Sequence, residues 1–142
     1  MKIAIIGAGN VGRALGARWA ANGHTVIYGV RDTASPKLAD IDRSKFAVQP
    51  SAQAAAGADV VLLATPWGGT KAAIESCGGF AGKVVLDATN PLLPMLAGLD
   101  HAEGKSGGQR VQEWAPQAKV VKIFNTTGFN NMTNTKYGAD GV

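Results

Sequence analysis

Three glycines near the start of the chain have the spacing Gly7-x-Gly9-x-x-Gly12, directly after the apolar segment Lys2–Ile6. The first glycine allows a tight turn, the second lets backbone amides approach an anion, and the third lets a helix pack closely on the strand. Unpaired N–H groups and the positive end of the helix dipole then face bound phosphates. The motif predicts a site for the pyrophosphate of a dinucleotide, formed by Gly7, Ala8, Gly9, Asn10, Val11 and Gly12.

A basic residue follows the segment HTVIYGV, which is expected to be the second strand. Arg31 lies roughly 20 residues beyond the motif, where NAD-binding proteins usually have an acid that bonds the ribose 2′-hydroxyl. A guanidinium can instead bind a 2′-phosphate through two hydrogen bonds, and Lys37 would add a second positive charge. We therefore expect the cofactor to be NADP(H). The alternatives are that Arg31 is simply solvated, or that Asp32 turns inward, repels the phosphate and favours NAD(H).

Small polar groups follow three later strands, in the triplets Thr65-Pro66-Trp67, Thr89-Asn90-Pro91 and Asn125-Thr126-Thr127. Ligands of open parallel sheets bind just beyond the carboxyl ends of the strands. We therefore expect these side chains to line one crevice. Ordinary turn chemistry is the alternative, since Asn, Thr and Pro are common in turns.

No combination of residue types that would form a nucleophilic or acid–base catalytic set is evident, so no catalytic residue is predicted. Of the two histidines, His24 falls in a helix–strand turn and His101 in a polar loop. Cys77 is the single cysteine, which excludes an intrachain disulfide and a thiolate metal site and favours a small buried residue. Direct hydride transfer between two ring systems requires positioning and little proton chemistry. A flavin-like acceptor therefore fits better than an alcohol, whose oxidation needs a base.

The elements that would position these residues alternate between strand and helix. Strands are predicted at 2–6, 24–30, 46–48, 59–64, 83–87 and 119–124, and helices at about 11–22, 52–56, 70–76 and 106–114. Gly23 is placed at the end of the first helix, and Ser106 with Gln109 resembles a capping box. The pattern predicts a single Rossmann-type domain over residues 1–142, with a doubly wound, mostly parallel sheet of about six strands.

The segment from Thr126 to Val142 is polar and rich in turn residues, and no closing element is predicted there. Because the chain stops where another strand could start, we expect it to be C-terminally truncated.

Composition limits the kinds of partner. The 142 residues are 46% hydrophobic and 17% charged, with a net charge of +4. No Lys/Arg cluster is interleaved with aromatic residues, so the pattern predicts an anionic small ligand and no nucleic acid. The apolar start is too short for a signal peptide or a membrane span, which predicts a cytoplasmic protein without a membrane partner.

Several segments together resemble the NADPH-dependent coenzyme F420 reductase family. They are the first 32 residues, then VVLLATPW, VVLDATNP, SGGQRVQEWAP and KVVKIFNTTG, in this order. A similar module occurs in the cytoplasmic domain of membrane ferric reductases of the STEAP type. The resemblance covers essentially the whole chain, and the later segments are more specific than the glycine triplet.

The resemblance implies a Rossmann fold and hydride transfer between NADP(H) and the deazaflavin F420, or FMN or FAD in relatives. By position, residues 7–12 would bind the pyrophosphate and Arg31 the 2′-phosphate, although Val30 stands where relatives often have Ser or Thr. By the same comparison, Thr65, Pro66 and Trp67 would flank the ribose and nicotinamide, and Asn90 and Pro91 would line the nicotinamide end. Asn125 and Thr126 would lie near the deazaflavin, with Thr127 beside them.

Relatives continue past the end of this chain with elements that complete the acceptor pocket and contribute to a dimer, so we expect a homodimer and a small-molecule redox carrier as partners. Two other functions are considered. A non-catalytic NADP(H)-binding module or redox sensor is the alternative, and an imine or hydroxy-acid reductase is disfavoured because such enzymes add a helical domain.

Overall fold

The computed structural model of this chain describes residues 1–100 and 104–134. Six strands form one parallel sheet: β1 (Lys2–Ile6), β2 (Thr25–Val30), β3 (Ala47–Pro50), β4 (Val60–Leu63), β5 (Val84–Asp87) and β6 (Lys119–Lys122). Five helices accompany them in the described residues: α1 (Asn10–Ala21), α2 (Ser51–Ala56), α3 (Trp67–Ser76), α4 (Gly107–Trp114) and α5 (Phe129–Thr133). Single 3₁₀ turns lie at Pro36–Leu38 and Pro94–Leu96.

The strand order is β3-β2-β1-β4-β5-β6, and every neighbouring pair is parallel. The chain winds outward from β1 in one direction, then returns to the other side of β1 with β4. This is the doubly wound Rossmann order, which confirms the predicted fold class. The reversal leaves a crevice between the loops that follow β1 and β4.

Side chains of β1 alternate between two hydrophobic clusters, one on each face of the sheet. Ile3 and Ile5 join Leu15 of α1 on one face. Ala4 and Ile6 belong to the cluster on the other face, which α2, α3 and α4 cover. Because both faces of the central strands β1 and β4 are buried, these strands are almost uninterruptedly apolar, whereas the edge strands β3 and β6 are more exposed.

Two helix-end signals are confirmed by hydrogen bonds. At the end of α1, Gly23 has φ +83°, its N–H donates to the carbonyl of Ala20 at 3.0 Å, and the N–H of His24 donates to the carbonyl of Trp19 at 3.0 Å. This is the Schellman arrangement, which favours glycine at that position. At the start of α4, the N–H of Gln109 donates to Oγ of Ser106, and the N–H of Ser106 donates to Oε1 of Gln109.

Three predicted boundaries differ from those of the structure by two residues or more. Strand β3 ends at Pro50 rather than at Val48. Helix α3 begins at Trp67 rather than near Thr70, and the Thr70 hydroxyl donates to the carbonyl of Pro66 inside that first turn. Strand β6 ends at Lys122 rather than at Phe124, because Phe124 has φ +65° and leaves the extended conformation.

The expectation that no element closes the C-terminal region is wrong. Helix α5 covers the same face as α1, where Met132 is buried in the cluster that contains Leu15. The ring of Phe124 packs against Trp19 of α1, with centroids 6.3 Å apart. Because α5 has only five residues, most of them polar, apolar periodicity could not reveal it. Residues 135–142 and His101 lie outside the described residues.

Cys77 is buried, as expected, at the end of α3, where its thiol donates to the carbonyl of Ala73 at 3.2 Å. Burial raises the pKa of the thiol from 9.0 to about 11, although a hydrogen bond with Ser76 opposes the shift.

We predict that native Cys77 reacts with a chromogenic disulfide reagent at pH 8 at least about 100-fold more slowly than the urea-unfolded chain, because a pKa two units higher leaves about one hundredth of the thiolate. Because the pKa of this thiol is higher in the folded state, its contribution to the free energy of unfolding is fully present below about pH 9. That contribution is lost as the pH rises toward 11. Cys77→Ala should lack that part of the pH dependence. Equal reaction rates for the native and unfolded chains would contradict this account of the thiol.

Candidate functional site

A cleft of about 410 Å³ opens where the strand order reverses, beyond the carboxyl ends of β1, β2 and β4. Gly9, Asn10, Val11 and Gly12 of the glycine loop are not part of its lining, which includes six other residues predicted to bind the cofactor: Gly7, Ala8, Arg31, Lys37, Thr65 and Pro66. These residues come from three different loops, which the reversal of strand order brings to one place. We call this space the first cleft.

The three motif glycines meet different surroundings. Gly7 has φ +106°, and a Cβ there would lie 2.6 Å from the carbonyl oxygen of Ala64. A Cβ at Gly12 would lie 2.2 Å from the carbonyl oxygen of Gly7, whereas a Cβ at Gly9 would meet no atom within 4 Å. Gly7 and Gly12 are therefore required by the fold itself, and Gly9 borders open space that a ligand can enter.

Helix α1 presents an uncapped N-terminus directly after this loop. Gly9 is the N-cap residue, no side chain caps the helix, and the first turn contains no acidic residue. The first bond of the helix runs from the N–H of Arg13 to the carbonyl of Gly9 at 2.9 Å. The preceding amides have no helical acceptors, and the dipole places partial positive charge there. Helix N-termini of this kind are common binding sites for anions such as phosphates.

Two exposed cations border the first cleft at the end of β2 and in the turn that follows. Among the described residues, the side chains of Arg31 and Lys37 form no ion pair. Asp32 also borders this cleft, but its Oδ1 accepts a hydrogen bond from the N–H of Ala34 at 2.9 Å. The carboxylate is thus engaged in its own turn, while both cations remain available to an anionic ligand.

Arg13, in the first turn of α1, was missed by the sequence reasoning. Its Nε donates to the carbonyl of Ala8 at 2.7 Å, its Nη2 donates to the carbonyl of Lys37 at 2.6 Å, and its Nη1 forms an ion pair with Asp40. A signal did exist, because a cation in the first helical turn opposes the helix dipole and so calls for a specific partner.

The triplet after β4 is divided between the first cleft and the core. Thr65 and Pro66 line the cleft, and the Thr65 hydroxyl lies 3.0 Å from that of Thr70. Trp67, predicted to flank the cofactor, is buried in the core cluster and is not part of the lining.

The indole of Trp67 instead connects α3 to α4 and to the loop after β5. Its Nε1 donates to Oδ2 of Asp100 at 2.8 Å, and the ring centroids of Trp67 and Trp114 lie 5.2 Å apart. The Arg110 guanidinium stacks on both indoles and donates to Asp100 at 2.7 Å. Trp67 therefore supports the loop that follows β5 from within.

A second cleft, of about 580 Å³, lies beyond the carboxyl ends of β5 and β6. Its lining includes Asn90, Pro91 and Asn125, as well as Lys122 and the first turn of α4. Thr126 and Thr127 line neither cleft. The prediction that the three triplets line one crevice is therefore wrong. Thr65 and Pro66 border the first cleft, whereas Asn90, Pro91 and Asn125 border the second.

A buried network at the ends of β5 and β6 was also missed. Asp87 is fully buried, and its Oδ1 accepts hydrogen bonds from the N–H and hydroxyl of Thr89 at 2.9 and 2.7 Å. The ammonium of Lys122 lies 3.1 Å from Oδ2 of Asp87 and also donates to the carbonyl of Thr89. This pairing satisfies the buried carboxylate and anchors Lys122 beside the second cleft.

Neither a membrane-spanning helix nor a metal-binding cluster is present among residues 1–100 and 104–134. None of their helices is long and apolar enough to cross a membrane. Across the same parts of the chain, no group of three or more His, Cys, Asp and Glu side chains is arranged to hold a metal ion.

Residues 2–91 of the chain match the model of a protein family described as NADP oxidoreductase, coenzyme F420-dependent. This segment contains the glycine loop, the end of β2 and the triplets after β4 and β5. The chain belongs to this family. No curated protein matches it.

Solved structures agree with this assignment. A candidate F420-dependent NADP reductase from Arthrobacter sp. FB24 is 32% identical, with a TM-score of 0.85 over 99% of this chain and 70% of that one. A hypothetical protein from Sinorhizobium meliloti is 28% identical, with a TM-score of 0.82 over 97% of this chain and 68% of that one. A ketopantoate reductase from Ralstonia eutropha JMP134, 23% identical with a TM-score of 0.64 over 86% and 40%, shares the fold.

The surroundings of the motif glycines lead to a stability prediction. Gly12→Ala should lower the free energy of unfolding by about 3 kcal/mol or more, because the added methyl group overlaps a backbone carbonyl that cannot move freely. Gly9→Ala should change it by less than about 0.5 kcal/mol, since the new Cβ meets open space. Urea unfolding followed by circular dichroism measures both. Equal effects of the two substitutions would contradict the described geometry of the loop.

Proposed function

We propose that this chain binds NADP(H) in the first cleft and transfers hydride between NADPH and the deazaflavin F420 or a flavin such as FMN or FAD. One observation carries the proposal. At the reversal of strand order, Gly7 and Ala8 of the glycine loop line the same cleft as Arg31 and Lys37, two cations that form no ion pair within the described residues, and the uncapped N-terminus of α1 follows that loop directly. Family membership supports the oxidoreductase chemistry.

The residues present fit the parts of the cofactor. The loop Gly7–Gly12, with its amides at the start of α1, would bind the pyrophosphate. Arg31 and Lys37 would bind the 2′-phosphate, because both are exposed and form no ion pair within the described residues, while Asp32 is held by its own turn. Thr65 and Pro66 would contact the ribose. When bound, the nicotinamide supplies or accepts the hydride, and the role of the chain is to bind and orient it.

The second cleft would accommodate the acceptor. Its volume of about 580 Å³ is within the range of small-molecule sites, and it opens at the same edge of the sheet as the first cleft. Amide groups of Asn90 and Asn125 and the ammonium of Lys122 offer hydrogen bonds to a polar ring system.

A non-catalytic NADP(H)-binding module is the second candidate. The observation in its favour is that the two clefts are separate, with Thr126, Thr127 and the indole of Trp67 outside both. A small redox carrier as partner and a homodimer are further parts of the proposal, and the sequence resemblance supports them. A cytoplasmic location stays a prediction from the sequence.

Substitution of Arg31 tests the choice of cofactor. Arg31→Ala should weaken NADPH binding about tenfold and NADH binding less than about twofold, because loss of a charge-assisted contact of roughly 1.4 kcal/mol affects only the phosphorylated ribose. Fluorescence titration with each cofactor gives the ratio of dissociation constants. Arg18→Ala, on the exposed side of α1, is the matched control and should leave the ratio unchanged. If Arg31→Ala also leaves it unchanged, the assignment of the 2′-phosphate is wrong.

Turnover tests the reaction. NADPH oxidation is followed with F420, FMN or FAD as separate acceptors, and we expect turnover with at least one. Asn125→Ala should raise the KM for that acceptor about fivefold without changing the dissociation constant of NADPH, because it removes a hydrogen bond in the second cleft only. Tight NADPH binding without turnover on any acceptor would favour the non-catalytic module.

A further inference from the structure

Arg13 does not line the first cleft, but it connects two segments that do. The carbonyls that it contacts belong to Ala8 in the glycine loop and Lys37 in the turn Pro36–Leu38, and both residues line the cleft. The same guanidinium pairs with Asp40 just beyond the turn. One side chain therefore sets the distance between the phosphate-binding loop and the segment that carries Lys37.

The turn has few other constraints on its position. Its own hydrogen bonds are local, from the N–H of Leu38 to the carbonyl of Ser35 at 3.0 Å and from the N–H of Ala39 to the carbonyl of Pro36 at 3.2 Å. Leu38 is buried against the core and holds one side of the turn. The attachment of the turn to the glycine loop is supplied by Arg13.

The electrostatics indicate that this attachment is specific. Arg13 lies in the first turn of α1, where the helix dipole opposes a cation, so its position depends on the three groups it contacts. The hydrogen bond from Arg13 holds the pKa of Asp40 below its ordinary value. Only a planar guanidinium offers donors in all three directions at once, and a lysine ammonium does not reproduce them.

We propose that Arg13 is a positioning residue for cofactor specificity, which holds the Pro36–Leu38 turn against the glycine loop so that Lys37 faces the 2′-phosphate of NADP(H). The inference rests on the proposed function, since it requires the first cleft to bind the phosphorylated cofactor. Arg13 acts through Lys37 and contributes no contact to the cofactor.

The experiment measures dissociation constants for NADPH and NADH in four proteins: wild type, Arg13→Met, Lys37→Ala and the double variant. Arg13→Met should lower the preference for NADPH about fivefold, the loss expected when one ionic contact is misplaced. In the Lys37→Ala background the same substitution should change the preference by less than about twofold, because the group that it positions is gone. Arg18→Met, which removes the same charge from the same helix, should leave the preference unchanged.

The outcomes separate this inference from the proposed function. A wild-type chain without preference for NADPH refutes the proposed function, and the role of Arg13 with it. If the wild type prefers NADPH and Arg13→Met keeps that preference, the inference alone is refuted. An equal loss of affinity for both cofactors refutes it as well, and so does an equal effect of Arg13→Met in the Lys37→Ala background. If Arg13→Met does not fold, Arg13→Lys keeps the charge and should show the same loss of preference.

Discussion

The close approach of α1 to the sheet is the constraint on which the rest of this structure depends. A Cβ at Gly12 would overlap the carbonyl of Gly7, and a Cβ at Gly16 would lie 2.4 Å from the Tyr28 hydroxyl oxygen. The helix can lie this near only because both positions lack a side chain. That contact directs the N-terminus of α1 at the point where the strand order reverses, so the same packing that stabilises the core also leaves the uncapped end of the helix next to the glycine loop.

At the other end of the carboxyl edge of the sheet, polar pairs hold the loop after β5 in place. Lys122 satisfies the fully buried carboxylate of Asp87, and Asp100 accepts hydrogen bonds from both Trp67 and Arg110. Removing Lys122 would leave the buried Asp87 carboxylate uncompensated, and breaking a buried pair in this way typically costs about 3–5 kcal/mol. Through Thr89 and Asp100, these contacts hold the loop after β5 in place beside the second cleft.

The two arginines near the first cleft differ in what the fold does with them. Arg31 is exposed and, among the described residues, has no ion-pair partner, so its charge remains available to a ligand. Arg13 is almost fully engaged by protein groups, and its charge serves the arrangement of the loop and turn. Residue type alone does not distinguish them. The distinction comes from which acceptors lie within reach once α1 and the Pro36–Leu38 turn are packed.

The sequence by itself determined the alternation of strand and helix, the Rossmann order and the glycine loop, because each rests on local patterns such as apolar runs, helix-end residues and glycine spacing. It also determined the family, through segments such as VVLDATNP. Only the tertiary structure decided that Trp67 faces the core, that Asp87 pairs with Lys122 and that α5 packs on α1. Those outcomes depend on contacts between residues far apart in the chain, for which local periodicity carries no signal. The same holds for the division of the three strand ends between two clefts, since loop packing decides which side of the edge each side chain faces.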